Sequence, residues 1–256
     1  KTFAFGRVEA GPLAPDTVLP DGFRAGATAQ LRTIRATADA AREGWRDLGH
    51  AKAEIAQQDI TARHAQGTLE VALGVVPGPK LTFGDLVLTG QSAVRPERIR
   101  AIAGVPTGQT FSPQELDRAR ARLQRTGTFQ AAALFEADEA IGNTLPIEGR
   151  ITDRLPRTFG AGAELSTEDG VTLSGFWAHR NWLGGAERLR FDAEIGGIGA
   201  SETGIDFSFE LRFDKPAVRG PDVDFYAFAK ADKLDERHYT ADRLALEFGL
   251  INRKPR

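Results

Sequence analysis

A repeated segment limits the possible folds of this chain more than any other feature of its sequence. Residues 68–84 read TLEVALGVVPGPKLTFG and residues 144–160 read TLPIEGRITDRLPRTFG. Both copies begin with Thr-Leu, alternate apolar and polar residues in the centre and finish in Phe-Gly. A fixed spacing between similar segments is typical of a repeated structural unit. The sequence therefore predicts two modules of the same kind, one closing before residue 80 and one before residue 157.

Each predicted module mixes strands with helices. In the second, Pro96 lies near a helix start, Ser112 is suited to cap another helix, and Leu116, Ala119 and Leu123 form an apolar stripe. Its predicted elements are a strand at 83–90, helices at 94–102 and 112–123, and strands at 129–137 and 145–153. Those of the first module are a strand at 5–11, a long helix at 32–48, and strands at 51–60 and 69–76. The predicted fold class is α+β, built from tandem βααββ units.

From residue 157 the sequence changes to strict alternation of apolar and polar residues, which is typical of strands with one apolar face. The predicted strands are 159–165, 171–179, 189–195, 205–213, 223–231 and 244–250. In a soluble sandwich the apolar face would form the core, whereas in an outer-membrane barrel it would meet lipid. Alternation alone leaves both interpretations open.

Composition excludes several classes of function. The formal net charge is −2, with acidic and basic residues evenly mixed, so nucleic acid is not expected as a partner. No stretch is apolar enough for a membrane-spanning helix. The absence of cysteine removes disulfides, thiolate metal sites and thiol nucleophiles. Because the chain starts at Lys1 inside a predicted strand and has no methionine, we interpret it as a fragment that lacks its natural N-terminus.

The tandem modules resemble the POTRA domains of outer-membrane assembly proteins. The resemblance lies in Leu48-Gly-His50, in Val76-Pro-Gly-Pro79 followed by Phe83-Gly84, and in residues 94–102 leading to Ser112-Pro-Gln-Glu-Leu116. Residues 174–191, SGFWAHRNWLGGAERLRF, are also similar to the second-to-third strand region of the TamA-like branch, the translocation and assembly module of the BamA/TamA superfamily. The resemblance implies POTRA-like domains at 1–80 and 81–156, and the first six strands of an incomplete surface-antigen-type β-barrel at 157–256.

The resemblance also implies a function. Such a protein would help to insert β-barrel or autotransporter clients into the bacterial outer membrane, with its POTRA modules in the periplasm. Its partners would be unfolded outer-membrane protein clients, a TamB-like partner and, through the complete barrel, the lipid bilayer. The resemblance leaves two alternatives open. A polypeptide secretion translocator of the two-partner type has the same architecture, although no N-terminal plugging helix is visible here, and a soluble periplasmic scaffold would carry a sandwich domain.

No catalytic, cofactor or metal site is expected, and the protein is not expected to be an enzyme. His50, His64, His179 and His238 are far apart and match no metal-binding spacing. No GxSxG motif is present. Asp222 and Asp224 are expected on the polar face of a strand because they are two residues apart. Residues 196–199 and 218–220 are interpreted as hairpin turns.

The predicted functional segment is instead the first barrel strand. In the family that the chain resembles, this strand pairs weakly with the last one, and the seam between them admits client strands. The corresponding residues here are Phe159, Gly160, Ala161, Gly162, Ala163, Glu164 and Leu165. Gly160 and Gly162 leave little side chain to lock the pairing. POTRA-like units offer further sheet edges at which an extended client can add a strand.

Overall fold

The structure, a computed structural model, describes residues 2–200, 204–236 and 239–253. In these residues the elements are, in chain order, β1 (Ala4–Gly11), α1 (Leu31–Asp47), β2 (Glu54–Arg63), β3 (Thr68–Val76), β4 (Thr82–Thr89), α2 (Pro96–Ala103), α3 (Pro113–Arg125), β5 (Phe129–Glu136), β6 (Thr144–Asp153), β7 (Arg157–Ser166), β8 (Gly170–His179), β9 (Arg188–Ile198), β10 (Asp206–Lys215), β11 (Val223–Glu236) and β12 (Tyr239–Asn252). No helix in the described ranges is long and apolar enough to cross a membrane.

The chain divides into two compact units. The first comprises Lys1–Leu86, Val105–Asp117 and Glu136–Ile147. The second comprises Val87–Gly104, Arg118–Phe135 and Glu148–Arg256. The three-part division at residues 80 and 156 follows the repeat rather than this clustering, and it stays a prediction.

The first sheet has the strand order β1-β3-β2. β1 runs parallel to β3, which requires a crossover, and α1 supplies it. The helix turns Ile34 towards the sheet, where it joins a buried cluster with Phe5, Val71 and Leu73. The apolar face of α1 and the apolar faces of β1 and β3 therefore pack together in one core.

The βααββ pattern predicts two helices for the first module, but the structure contains only one in the described residues. In place of a first short helix, residues 12–30 form turns and extended segments, and α1 is the helix found between β1 and β2. Pro12, Pro15 and Pro20 explain the difference, because each lacks a backbone N–H and disfavours a helical conformation in the residue before it. β2 also starts three residues later than predicted, at Glu54.

The second module has the complete predicted order, and its sheet has the strand order β4-β6-β5. α2 carries Pro96 in its first turn and ends at Gly104, which adopts the left-handed conformation with φ 59°. The predicted stripe of α3 is confirmed, since Leu116, Ala119 and Leu123 are buried. The α+β fold class is thus confirmed.

The last hundred residues form one antiparallel sheet in which each strand pairs with the next, in the order β12-β11-β10-β9-β8-β7. All six predicted strands are present. The interpretation of residues 196–199 as a turn is wrong for the first three, because Gly196 pairs with Asp206 and Ile198 pairs with Val171. These pairings extend β9 to Ile198. Residues 218–220 do lie in the turn between β10 and β11, as predicted.

Candidate functional site

One face of the six-stranded sheet is apolar and exposed. The register aligns Phe159 with Trp177, Trp177 with Phe191, and Phe191 with Leu211, so apolar side chains continue from strand to strand. At the two ends of the sheet Phe159 is 82% exposed and Phe248 is 79% exposed. Water-soluble domains rarely expose a continuous apolar surface of this extent. In the described residues the face is therefore not the core of a sandwich, and it is suited to contact lipid or another apolar surface.

The opposite face is polar and concave. Arg190 donates two hydrogen bonds to Asp192, at 2.7 and 2.6 Å, and Ser208 Oγ donates to Asp232 at 2.7 Å. These residues lie around an open concavity of 660 Å³ whose lining also includes Gly160, Gly162 and Lys230. The strands thus carry apolar side chains on one face and hydrogen-bonded charged side chains on the other. This arrangement is typical of barrel strands that separate lipid from a water-filled lumen.

The predicted seam residues lie together on β7, an edge strand of this sheet. β7 pairs with β8 along its full length, from Arg157 with His179 to Ser166 with Gly170. Its other edge has no strand partner in the part of the chain that the structure describes. The alternation places four predicted seam residues on the apolar face and three on the polar face: Phe159, Ala161, Ala163 and Leu165, then Gly160, Gly162 and Glu164.

Gly160 has a local packing role that sequence reasoning did not anticipate. The ring of Phe176, on the paired strand β8, lies over it, and a Cβ atom at Gly160 would come within 2.5 Å of Phe176 Cε1. The guanidinium of Arg190 then lies 4.3 Å from the centroid of the Phe176 ring. The missing side chain at Gly160 therefore tightens the β7–β8 pair. At Gly162 the corresponding contact is with Ser174 Oγ at 2.9 Å, an atom that can rotate away.

A buried ion pair joins α3 to the turn between β10 and β11. Arg122 Nε and Nη2 donate to the two carboxylate oxygens of Asp222 at 2.9 and 2.7 Å, and Nη1 donates to the carbonyls of Ala103 and Gly104. Both side chains of the pair are about nine-tenths buried, with exposures of 10% and 12%. The expectation that Asp222 lies on the polar face of a strand is wrong, because the residue precedes β11 and points to the helix.

Further contacts hold the same turn. Arg98 Nη2 donates to the carbonyl of Pro216 at 2.6 Å. The ring of Pro221 lies so close to Gly104 that a Cβ atom there would come within 2.5 Å of it. Asp224 accepts hydrogen bonds from the backbone N–H of Ala217 and from Arg253. The segment 216–224 is thus fixed to the ends of α2 and α3. Local sequence patterns did not predict these contacts.

Another ion pair joins α1 to the end of β5. Arg46 Nη2 donates to Glu136 Oε1 at 2.5 Å, and Arg46 Nη1 donates to the carbonyl of Ala51 at 2.6 Å. Burial opposes the charge of Arg46, but the hydrogen bond and the charge of Glu136 outweigh it and raise the pKa of Arg46 above its usual value. Beside this pair, Lys52 Nζ donates to the carbonyl of Ala137 at 2.6 Å.

The histidines have separate local contacts. His50 Nδ1 lies 2.8 Å from the carbonyl oxygen of Gly78, and His64 packs edge-on against Phe3. His179 contacts the rings of Trp177 and Trp182. His238 lies outside the described residues. Among residues 2–200, 204–236 and 239–253, no group of three or more histidine, cysteine or acidic residues is placed to hold a metal ion.

Comparison with known proteins gives one sequence match and several structural ones. Residues 81–145 match the sequence profile of the POTRA family, described as a surface antigen variable number repeat. A search of curated protein sequences finds no match. BamA from Haemophilus ducreyi lacking POTRA domains 1–3 aligns at a TM-score of 0.72 over 96% of this chain and 46% of that one, with 14% identity.

Two other solved structures share parts of this fold. BamA POTRA3–5 from Haemophilus influenzae aligns at a TM-score of 0.51, with 16% identity, over 59% of this chain and 61% of that one. CdiB from Acinetobacter baumannii aligns at 0.50, with 8% identity, over 92% of this chain and 45% of that one. The chain thus spans about half the length of these structures. Residues 81–145 therefore match the POTRA family, and over 96% of its length the chain shares the fold of BamA.

Proposed function

We propose that this chain is the POTRA and early barrel region of an outer-membrane assembly factor that helps to insert β-barrel or autotransporter clients. POTRA-like domains at 1–80 and 81–156 lie in the periplasm, and residues 157–256 contribute the first strands of a barrel in the outer membrane. The activity is non-enzymatic, because it consists of strand pairing and lipid contact. The observation that carries this proposal is a POTRA module followed directly by a sheet with an exposed apolar face and a polar concave face.

The proposed client contact is the outer edge of β7. Backbone N–H and C=O groups along an unpaired edge can pair with an incoming extended segment, and main-chain hydrogen bonds make such pairing tolerant of client sequence. β8 occupies the inner edge of β7, and Phe176 packs over Gly160 there. The proposed opening is therefore at the outer edge of Phe159–Leu165, while the β7–β8 pair stays closed.

We further propose the TamA-like branch of the superfamily, with a TamB-like partner. The support for this assignment is the sequence of residues 174–191, which resembles the second-to-third strand region of that branch. The segment runs from β8 through the loop to β9. Within it Glu187 is 1% exposed and accepts a hydrogen bond from the backbone N–H of Gly185. Co-purification of a TamB-like protein with the tagged full-length protein tests this finer assignment, and recovery of other envelope proteins without it would count against the branch.

The function is tested by depleting the full-length protein in its own host. We expect the folded, heat-modifiable fraction of outer-membrane barrel proteins to fall while their synthesis continues. The CdiB likeness favours a second candidate, a polypeptide secretion translocator. In that case depletion would abolish export of one secreted polypeptide and leave barrel proteins folded, a result that would overturn the insertase proposal.

The site is tested by photocrosslinking. A benzoyl-phenylalanine at Leu165, on the edge strand, is expected to crosslink to a client arrested during assembly. The matched control is Leu211, which lies on the same apolar face but on β10, between two paired strands. Equal crosslinking at the two positions would indicate contact through the lipid-facing surface in general and would contradict a seam at β7.

A further inference from the structure

Two exposed apolar side chains lie in the loop between β8 and β9. Trp182 is 47% exposed and Leu183 is 57% exposed. The ring of Trp182 contacts those of Trp177 and His179, with centroids 5.8 and 5.5 Å apart. Trp177 belongs to the apolar face of the six-stranded sheet, since it pairs with Phe159 in the register. The loop therefore continues the apolar face beyond the end of β8.

The loop is held in place by hydrogen bonds. The backbone N–H of Trp182 donates to the carbonyl of Glu187 at 3.0 Å, and that of Gly185 donates to the Glu187 carboxylate at 2.8 Å. On the side of α2, the backbone N–H of Arg95 donates to the carbonyl of Gly184 at 2.9 Å. The tryptophan is thus presented outward by a bonded loop, and contact between its exposed apolar surface and water is unfavourable unless something covers it.

Basic side chains end the apolar face at this same end of the sheet. Arg157 lies opposite His179 in the register and two residues before Phe159, so it is on the apolar face. Lys215 lies opposite Phe225 on that face. Long basic side chains at such positions keep their stems on apolar surface while their charges reach polar surroundings. Tryptophan beside basic residues at the edge of an apolar surface is typical of the boundary between acyl chains and phospholipid headgroups.

We propose that Trp182 and Leu183 enter the headgroup region of a phospholipid bilayer and fix the height of the sheet in it. The apolar surfaces of both side chains contact the upper acyl chains, and the charges of Arg157 and Lys215 lie among the headgroups. A protein partner could also cover the loop, but the basic residues that end the apolar face beside it favour lipid. The inference rests on the proposed function, because it requires the apolar face to lie in lipid.

Depth-dependent fluorescence quenching tests this placement. A bimane label is introduced through Trp182→Cys, as the only cysteine of the full-length protein, in phosphatidylcholine vesicles that contain lipids brominated either near the headgroup or near the chain end. Because an interfacial side chain lies only about 5–10 Å into the boundary region, we expect the shallow bromines to quench about twofold more than the deep ones. A label introduced through Phe209→Cys, midway along β10 on the apolar face, is expected to show the reverse order. Ile141→Cys, at an exposed position between β5 and β6, is expected to give a label that neither lipid quenches.

Substitution of the tryptophan tests its role as an anchor. With the label introduced through Leu183→Cys, the additional change Trp182→Gln is expected to remove most of the shallow quenching, whereas Trp182→Phe is expected to retain it. The matched control is Trp45→Gln, which removes a tryptophan of α1 that donates to the carbonyl of Pro12 and is expected to leave the quenching unchanged. Equal loss in Trp182→Gln and Trp45→Gln would contradict an anchor at residue 182.

The labels also separate this inference from the proposed function. If the label at residue 209 is quenched by deep bromines and the label at 182 by neither lipid, the loop contacts water or protein. The inference is then overturned while the lipid-facing sheet stands. Stronger deep than shallow quenching at 182 also overturns it, because the tryptophan would lie among the acyl chains. If neither label is quenched, the sheet does not face lipid and both proposals fail.

Discussion

Removing the carboxylate of the buried Arg122–Asp222 pair should release the turn 216–224 from the helices. Asp222→Asn keeps the shape of the side chain but leaves the guanidinium of Arg122 without its counterion in a site that is about nine-tenths buried. Breaking one partner of a buried pair costs about 3–5 kcal/mol. The carbonyls of Ala103 and Gly104 remain as acceptors for Arg122, so we expect the lower end of this range.

Hydrogen exchange measured by mass spectrometry is the suitable assay, because the contact is local. A loss of about 3 kcal/mol corresponds to roughly a 150-fold increase in the opening equilibrium of the turn. Peptides that cover residues 216–224 and 118–126 should therefore exchange faster in Asp222→Asn, while those from the first module should not change.

Arg253→Gln provides the matched control, since it breaks the more exposed pair with Asp224 at the same end of the sheet. Its expected cost is under about 1 kcal/mol. Replacing both partners, in Arg122→Leu/Asp222→Leu, should recover much of the protection because no uncompensated charge remains. If Asp222→Asn exchanges no faster than Arg253→Gln, the reasoning from burial is refuted.

Three further outcomes are expected. Gly160→Ala should lower stability by about 1–3 kcal/mol through its clash with the Phe176 ring, and more than Gly162→Ala does, as measured by urea unfolding in lipid vesicles. Glu136→Gln should weaken the contact with Arg46 by about 1–3 kcal/mol, seen as faster exchange in residues 46–53, with Glu139→Gln as a surface control. The hydrogen bond from Arg63 lowers the pKa of Glu70, so NMR titration should find a value below that of an ordinary glutamate, and Arg63→Gln should restore it. Because the folded pKa is the lower one, this contribution to stability is present above the unfolded pKa and is lost as pH falls through the folded value.

The elements that local pattern determines could be predicted from the sequence. Alternation located all six strands of the sheet formed by β7 to β12, because each strand has one apolar and one polar face. The repeat located the second module, where Pro96 and Gly104 mark the ends of a helix. In the first module the repeat suggested one helix too many, since a shared closing segment says nothing about the prolines near the start.

The contacts that fix the turn 216–224 could not be predicted in this way. Arg122 and Asp222 are a hundred residues apart, and neither belongs to a local motif. The two-residue spacing of Asp222 and Asp224 gave a wrong prediction, because it placed both on one face of a strand. The strand begins only at Val223. The packing role of Gly160 could not be predicted either, because it depends on the ring of Phe176 on the neighbouring strand β8. The seam itself stays a prediction.

The buried pair also has a consequence for how this protein can change during evolution. Loss of either Arg122 or Asp222 alone leaves the other residue as a buried charge without a counterion. Joint replacement of both by apolar residues leaves no buried charge. Substitutions at the two positions should therefore occur together among homologues, although one lies in α3 and the other in the turn between β10 and β11. Gly104 and Pro221 are expected to show the same dependence, because any larger residue at 104 needs a different neighbour at 221.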